Sequence, residues 1–155
     1  MISAVQANNP SWIQAINDSS TMLEKLNTRI TGTINLVSGR IAAWNVLNDE
    51  LHSDFMHSIT NDADLTNILF SNISSADSSV DLFLNDYGVI TSPVYTTAIK
   101  ESAKRYRDAN VPIYGIGAQS HFTSSDIDIT RLKVGLFPSD VKYCGSPFYL
   151  ETYHD

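Results

Sequence analysis

Four short apolar runs alternate with helical patterns along the chain, and each run stops at amides, acids or an imidazole. The runs cover residues 40–47, 80–84, 111–118 and 148–150. Ahead of the first, Leu23, Leu26, Ile30, Ile34 and Val37 recur at helical spacing over residues 20–38, with Ser19 or Ser20 available as a cap and Gly39 beyond the end. Leu65, Ile68, Leu69, Phe70 and Ile73 mark a second helix. A third opens at Pro93 and runs through Tyr95, Ile99, Ala103 and Tyr106, with Lys100, Glu101, Lys104 and Arg105 on its wet face. A fourth pattern, Ile127, Ile129, Leu132 and Leu136, is cut short by Gly135 and Pro138. Strands joined by helices of this length pair in parallel, so the order αβαβαβ(α)β predicts an α/β fold built on a parallel sheet.

In a parallel sheet all strand C-termini share one edge, where α/β barrels and open α/β sheets place their sites. Asn48, Asp49 and Glu50 end the first run, and Asn85, Asp86 and Tyr87 the second. Gln119 and His121 end the third, and Glu151 and Thr152 the fourth. Amides are also good turn formers, so any single end would mean little. Four such ends, with carboxylates and an imidazole among them, point to a site along that edge.

Composition narrows the partners. The 155 residues are 43% hydrophobic, enough for one core, so residues 1–155 are read as one domain. The formal net charge of −7 argues against nucleic acid and against an anionic membrane surface. The one cysteine, Cys144, excludes an internal disulfide and a cysteine-based zinc site. No apolar run approaches the roughly 20 residues that span a bilayer. The start, MISAVQANNPSW, has neither a basic region nor an apolar core, so no signal peptide is expected. Asn17 and Asn72 head two sequons, which matter only in a secreted chain.

Read as wording, the same ends resemble glycoside hydrolase family 10, the retaining endo-β-1,4-xylanases. Trp44-Asn45-Val46-Leu47-Asn48-Asp49 is similar to the family's W-D-V-V-N-E, and Leu82-Phe83-Leu84-Asn85-Asp86-Tyr87 to its L-F-x-N-D-Y. The stretch from Val111 to His121, VPIYGIGAQSH, is similar to its P-I-d-G-I-G-x-Q-S-H. Asn9-Pro10-Ser11-Trp12, Arg29-Ile30 and Gly39-Arg40-Ile41 fit further family segments, and Pro147 to Thr152 is a weak match to P-I-W-x-T-E. Tyr95 to Glu101, and His52 after Leu51, are closest to invertebrate members.

The resemblance implies a partial (β/α)₈ barrel, from the helix before the fourth strand to the seventh strand. A complete barrel takes about 250 residues, so a missing segment or a partner protein is expected to close this one. It implies retaining hydrolysis of β-1,4-linked xylan or a related polysaccharide by two carboxyl groups about 5–5.5 Å apart, with no metal or cofactor. It implies an extracellular setting, which the start of this chain does not signal. The acid/base falls on Asp49, one methylene shorter than the family's glutamate, and a retreat of about 1 Å can cost about 10²-fold in rate. The nucleophile position falls on Thr152 in ungapped register, with Glu151 one residue early. Asn48, Tyr87, Gln119 and His121 fall on the substrate-lining positions, with Gln119 and His121 as the pair that orients the nucleophile. Glu50 is expected to leave the strand on the side opposite Asp49. With both catalytic glutamates altered, impaired catalysis is expected of this chain alone. The alternative is a non-catalytic relative that binds carbohydrate or serves as a structural or assembly protein.

Overall fold

The structure is a computed structural model that describes residues 1–119 except 38, 62 and 63. Its centre is a sheet of four parallel strands in the order β1-β2-β3-β4: Ile2–Ser3, Ala43–Asn48, Asp81–Asp86 and Gly115–Ala118. The helices are α1 (Ser11–Gln14), α2 (Ser19–Val37), α3 (Phe55–Thr60), α4 (Leu65–Ala76) and α5 (Pro93–Asp108). Short 3₁₀ turns at Gln6–Asn8 and Glu50–His52 follow β1 and β2. The expected helix at 127–136, the strand at 148–150 and Cys144 lie outside the described residues.

Three local expectations need correction. The first strand is β1, ahead of the long helix, and it pairs with Leu47 and Asn48. Two residues make too short a run for periodicity to reveal it. The cap of α2 is Asp18, whose Oδ1 accepts the Thr21 N–H and the Ser20 hydroxyl, both at 2.8 Å. β4 begins at Gly115: Pro112 has no N–H to donate, and the Ile113 N–H turns back to the Val111 carbonyl at 2.7 Å. Pro93 opens α5 as expected, with the Ser92 hydroxyl accepting the Tyr95 N–H at 3.5 Å.

The core lies between the sheet and its helices. Met22, Leu26, Ile30 and Ile34 of α2, Leu65, Leu69, Phe70 and Ile73 of α4, and Ile99, Ala103 and Tyr106 of α5 pack with Trp44, Leu47, Leu82, Leu84 and Ile116. Phe83 is buried but stands apart from this cluster, its ring edge-on to Tyr114 at 5.5 Å. Alternation along β3 therefore puts Leu82, Leu84 and Asp86 toward the helices, and Phe83 and Asn85 on the other face.

A bulge in β2 decides what reaches that other face. Asn45 pairs with Phe83 and Leu47 with Leu84, so the register slips by one at Val46. In an unbroken strand Asn48 would share the helix-facing side of Trp44. The slip turns it beside Asn85, because one extra residue exchanges the two faces. At least for the described residues, this is half of an α/β barrel wall with its strand C-termini on one edge.

Candidate active site

The C-terminal edge of the sheet collects buried polar groups from three strands: Ser3, Asn48, Asp49, Asn85 and Asp86. Asp49 sits directly past β2 with φ 64 and ψ 37, in the left-handed region. Asp tolerates this region better than most residues, and a non-glycine residue held there within a site is a common mark of function. The backbone holds it on both sides: the Asp49 N–H donates to the Asn85 carbonyl at 2.9 Å, and the His52 N–H to the Asp49 carbonyl at 3.1 Å.

Gln119, just past β4, closes the cluster. Its Nε2 donates to Asp49 Oδ1 at 2.7 Å and to Asn48 Oδ1 at 2.9 Å. Asn85 Nδ2 donates to the same Asn48 oxygen at 2.5 Å. Burial pushes the Asp49 carboxyl above the ordinary carboxylate range. The negative charge of Asp86 adds to the rise, while donation from Gln119, the electrostatic pull of His52 and donation from Asn48 act the other way.

Asp86 anchors the turn that follows Asp49. Its Oδ2 accepts the Leu51 N–H at 2.9 Å, and its Oδ1 accepts the Tyr87 N–H at 2.7 Å and meets His52 Nδ1 at 2.8 Å. A carboxylate only accepts, so the His52 proton sits on Nδ1. The His52 ring stacks on Tyr87, with centroids 3.5 Å apart and planes 16° from parallel. Tyr87 stands 41% exposed at the rim. Partial burial and then the Asp49 charge raise its phenol above the ordinary tyrosine value.

Glu50 leaves in the other direction, as expected. Its Oε1 accepts from the Tyr106 hydroxyl and, at 3.2 Å, from the Thr66 hydroxyl. It is tied to α4 and α5 behind the sheet and takes no part in the cleft. The structure thus brings Asn48, Asp49, Tyr87 and Gln119 to one edge. Gln119 contacts Asp49, and the expected nucleophile positions Glu151 and Thr152, which it is expected to orient with His121, lie outside the described residues together with His121. Sequence reasoning placed Asn85 and Asp86 on the expected site edge but gave neither them nor His52 a role. The parity of Leu82-Phe83-Leu84-Asn85-Asp86 was the available signal, since it sends Asn85 to the cleft and Asp86 behind it. Among the described residues no three acids, histidines or cysteines could hold a metal ion. No helix among them is long and apolar enough to cross a membrane.

A buried carboxyl held by amides at the C-terminal edge of a parallel α/β sheet, with an aromatic rim, lies where α/β barrels carry their sites. Comparison narrows the class. The sequence model of glycosyl hydrolase family 10 matches residues 5–137, and the chain belongs to that family. It is similar to endo-1,4-beta-xylanase 2 of Claviceps purpurea, 29% identical over 118 residues that make 72% of this chain and 36% of that protein. It is similar to endo-1,4-beta-xylanase 5 of Arabidopsis thaliana, 25% identical over 82% of this chain and 23% of that one. Among solved structures, a family 10 protein from Paenibacillus barcinonensis superposes with a TM-score of 0.76 at 18% identity, over 84% of this chain and 44% of that one. The intracellular xylanase of Thermoanaerobacterium saccharolyticum gives 0.71 at 23% identity, over 84% and 46%. The chain spans about a third or less of the length of these two curated relatives. The fold is a partial (β/α)₈ barrel.

Proposed function

We propose that the protein is a retaining hydrolase of β-1,4-linked xylan or a related polysaccharide, and that Asp49 is its proton donor. One observation carries this reading: Asp49 is a buried carboxyl raised above its ordinary range, held by Gln119 at the edge where barrels do their chemistry. A general acid at neutral pH needs such a raised value to keep its proton until the leaving oxygen takes it. Asp49 gives its proton to the glycosidic oxygen as a second carboxylate attacks the anomeric carbon. Water then reverses the step with Asp49 as base, so configuration is retained. Glu151 supplies the second carboxylate, in a register slipped by one residue from the one that puts Thr152 there. Asn48 donates to a sugar hydroxyl, and Tyr87 and His121 line the cleft. The chain is one partial domain, completed by a further segment or a partner protein. A complex of a mutant of the Thermoanaerobacterium xylanase with xylotetraose supports the substrate class.

The test is hydrolysis of xylotetraose by the whole protein, followed by NMR of the newly formed anomeric proton. The β-anomer is expected first. Asp49→Asn is expected to lower kcat/KM at least tenfold on xylotetraose, and far less on an aryl xyloside whose leaving group needs no proton. Initial α-anomer, or an unchanged rate in Asp49→Asn, would overturn the reading. The short arm of Asp49 favours one second reading, a cleft that binds xylan without cleaving it. Saturable xylotetraose binding with no product, lost in Asn48→Ala, would establish that instead.

A further inference from the structure

The amides of the cleft have a direction as well as a spacing. Asp49 Oδ1 accepts from Gln119 whether the carboxyl is ionised or carries its proton on Oδ2, so Gln119 turns its amino end to Asp49. The same amino group lies 2.9 Å from Asn48, which makes oxygen the end of Asn48 that faces Gln119. Asn85 presents its own amino end to that oxygen. Asn48 Oδ1 thus takes two side-chain donors, which turns its amino group toward the Asp49 carboxyl and the cleft, where a ligand would meet it. A flipped Asn48 amide would set amino groups against amino groups at both contacts.

The two donors are not equivalent. Gln119 is shared between Asn48 and Asp49, and a hydrogen bond to a charged carboxylate is roughly twice as strong as a neutral one. Each time Asp49 loses its proton, Gln119 is drawn toward Asp49 and its hold on Asn48 weakens. The donation from Asn85 does not involve the Asp49 carboxylate, so it persists through the cycle. Asn85 in turn needs Gly117 beside it on β4. A Cβ on Gly117 would lie 3.0 Å from Asn85 Cγ and 3.1 Å from its Cβ, with the amide oxygen nearer still. Asn85 and Gly117 are register partners, so neither can step aside without breaking the ladder.

We propose that Asn85, seated against Gly117, is a positioning residue that holds the Asn48 amide with its amino group toward the substrate, committing Asn48 to donate to a sugar oxygen. This rests on the hydrolase reading above. The role is distinct from sheet packing, because it acts on the ligand only through Asn48.

The experiment is a double-mutant cycle on the whole protein, with xylotetraose binding measured by calorimetry and the Asn48 side-chain amide followed by ¹⁵N–¹H NMR. Asn85→Leu keeps the shape and removes the donor, and Asn85→Ala serves if the leucine variant does not fold. Either is expected to weaken xylotetraose binding about three- to tenfold, the range of one lost hydrogen bond. In an Asn48→Ala background the same change is expected to shift binding less than about twofold, because the route through Asn48 is already gone. Equal losses in both backgrounds would overturn the proposal. If the unaltered protein binds no xylotetraose, the hydrolase reading fails separately. The amide is then read without sugar: its resonances should shift and broaden in Asn85→Leu, and unchanged resonances would overturn the positioning role.

Discussion

Asp49 combines a left-handed backbone, a buried carboxyl and hydrogen bonds from amides, and its charge works against folding. Because its folded value is raised, the folded protein holds this proton more tightly than the unfolded chain does. Its contribution to stability is fullest below the unfolded value, about 3.9. That contribution declines as pH rises to the folded value. Asp49→Asn should therefore raise the melting temperature at pH 7, with the gain fading as the pH approaches 4, while xylotetraose hydrolysis falls. Thermal melts at several pH values check this. Gly117→Ala should do the reverse, costing about 1–3 kcal/mol by overpacking against Asn85, as read from urea unfolding. Asp49 was legible in the sequence because a carboxylate closing an apolar run is conspicuous. The place of Asn85 on the edge was legible too, but its contact with Asn48 was not, because only the paired strands define it.

At the level of elements, the left-handed turn at Asp49 that ends β2 separates two neighbours into two jobs. Asp49 reaches the cleft, and Glu50 ties β2 to the helices through Tyr106 and Thr66. Burial and then the Glu50 charge raise the Tyr106 phenol, so this hydroxyl stays a donor at all ordinary pH. Tyr106→Phe removes that donor from a carboxylate whose Oε2 already lacks a partner among the described residues. A loss of about 1–3 kcal/mol is expected in urea unfolding, with Gln119 and Asp49 undisturbed in NMR spectra. At the other end of the helix layer, the Thr21 backbone N–H, followed by the Thr21 and Ser20 side chains, pulls the Asp18 carboxyl below its usual range. Its cap therefore stabilises α2 above the ordinary carboxylate value and is lost as pH falls through the lowered one. Asp18→Ala should lower the melting temperature at pH 7 and make no difference in strong acid. The helices were legible from their 3.6-residue spacing. The cap and the bulge were not, since Asp18, Ser19 and Ser20 are all good caps and a one-residue slip leaves no mark on composition.

Across the whole molecule, one core between sheet and helices carries the fold, and Leu84 lies fully buried within it. Leu84→Ala should cost about 2–5 kcal/mol, depending on how far α4 and α5 close over the gap, as measured by denaturant unfolding. The parallel order was legible because helices separate every apolar run. The short strand Ile2–Ser3 was not, since its two residues acquire meaning only by pairing with Leu47 and Asn48.

The sheet order simply follows the chain, each strand beside its predecessor. A protein made from its N-terminus can therefore assemble this wall as it leaves the ribosome, without waiting for a distant strand. The cleft matures on a different schedule. Asp49 emerges 70 residues before the Gln119 that clamps it, so during synthesis its carboxyl stays in water until β4 docks. The docking of β4 then brings Gln119 to Asp49 and Asn48 together, so the last of the described strands fixes two residues that an earlier strand had already delivered.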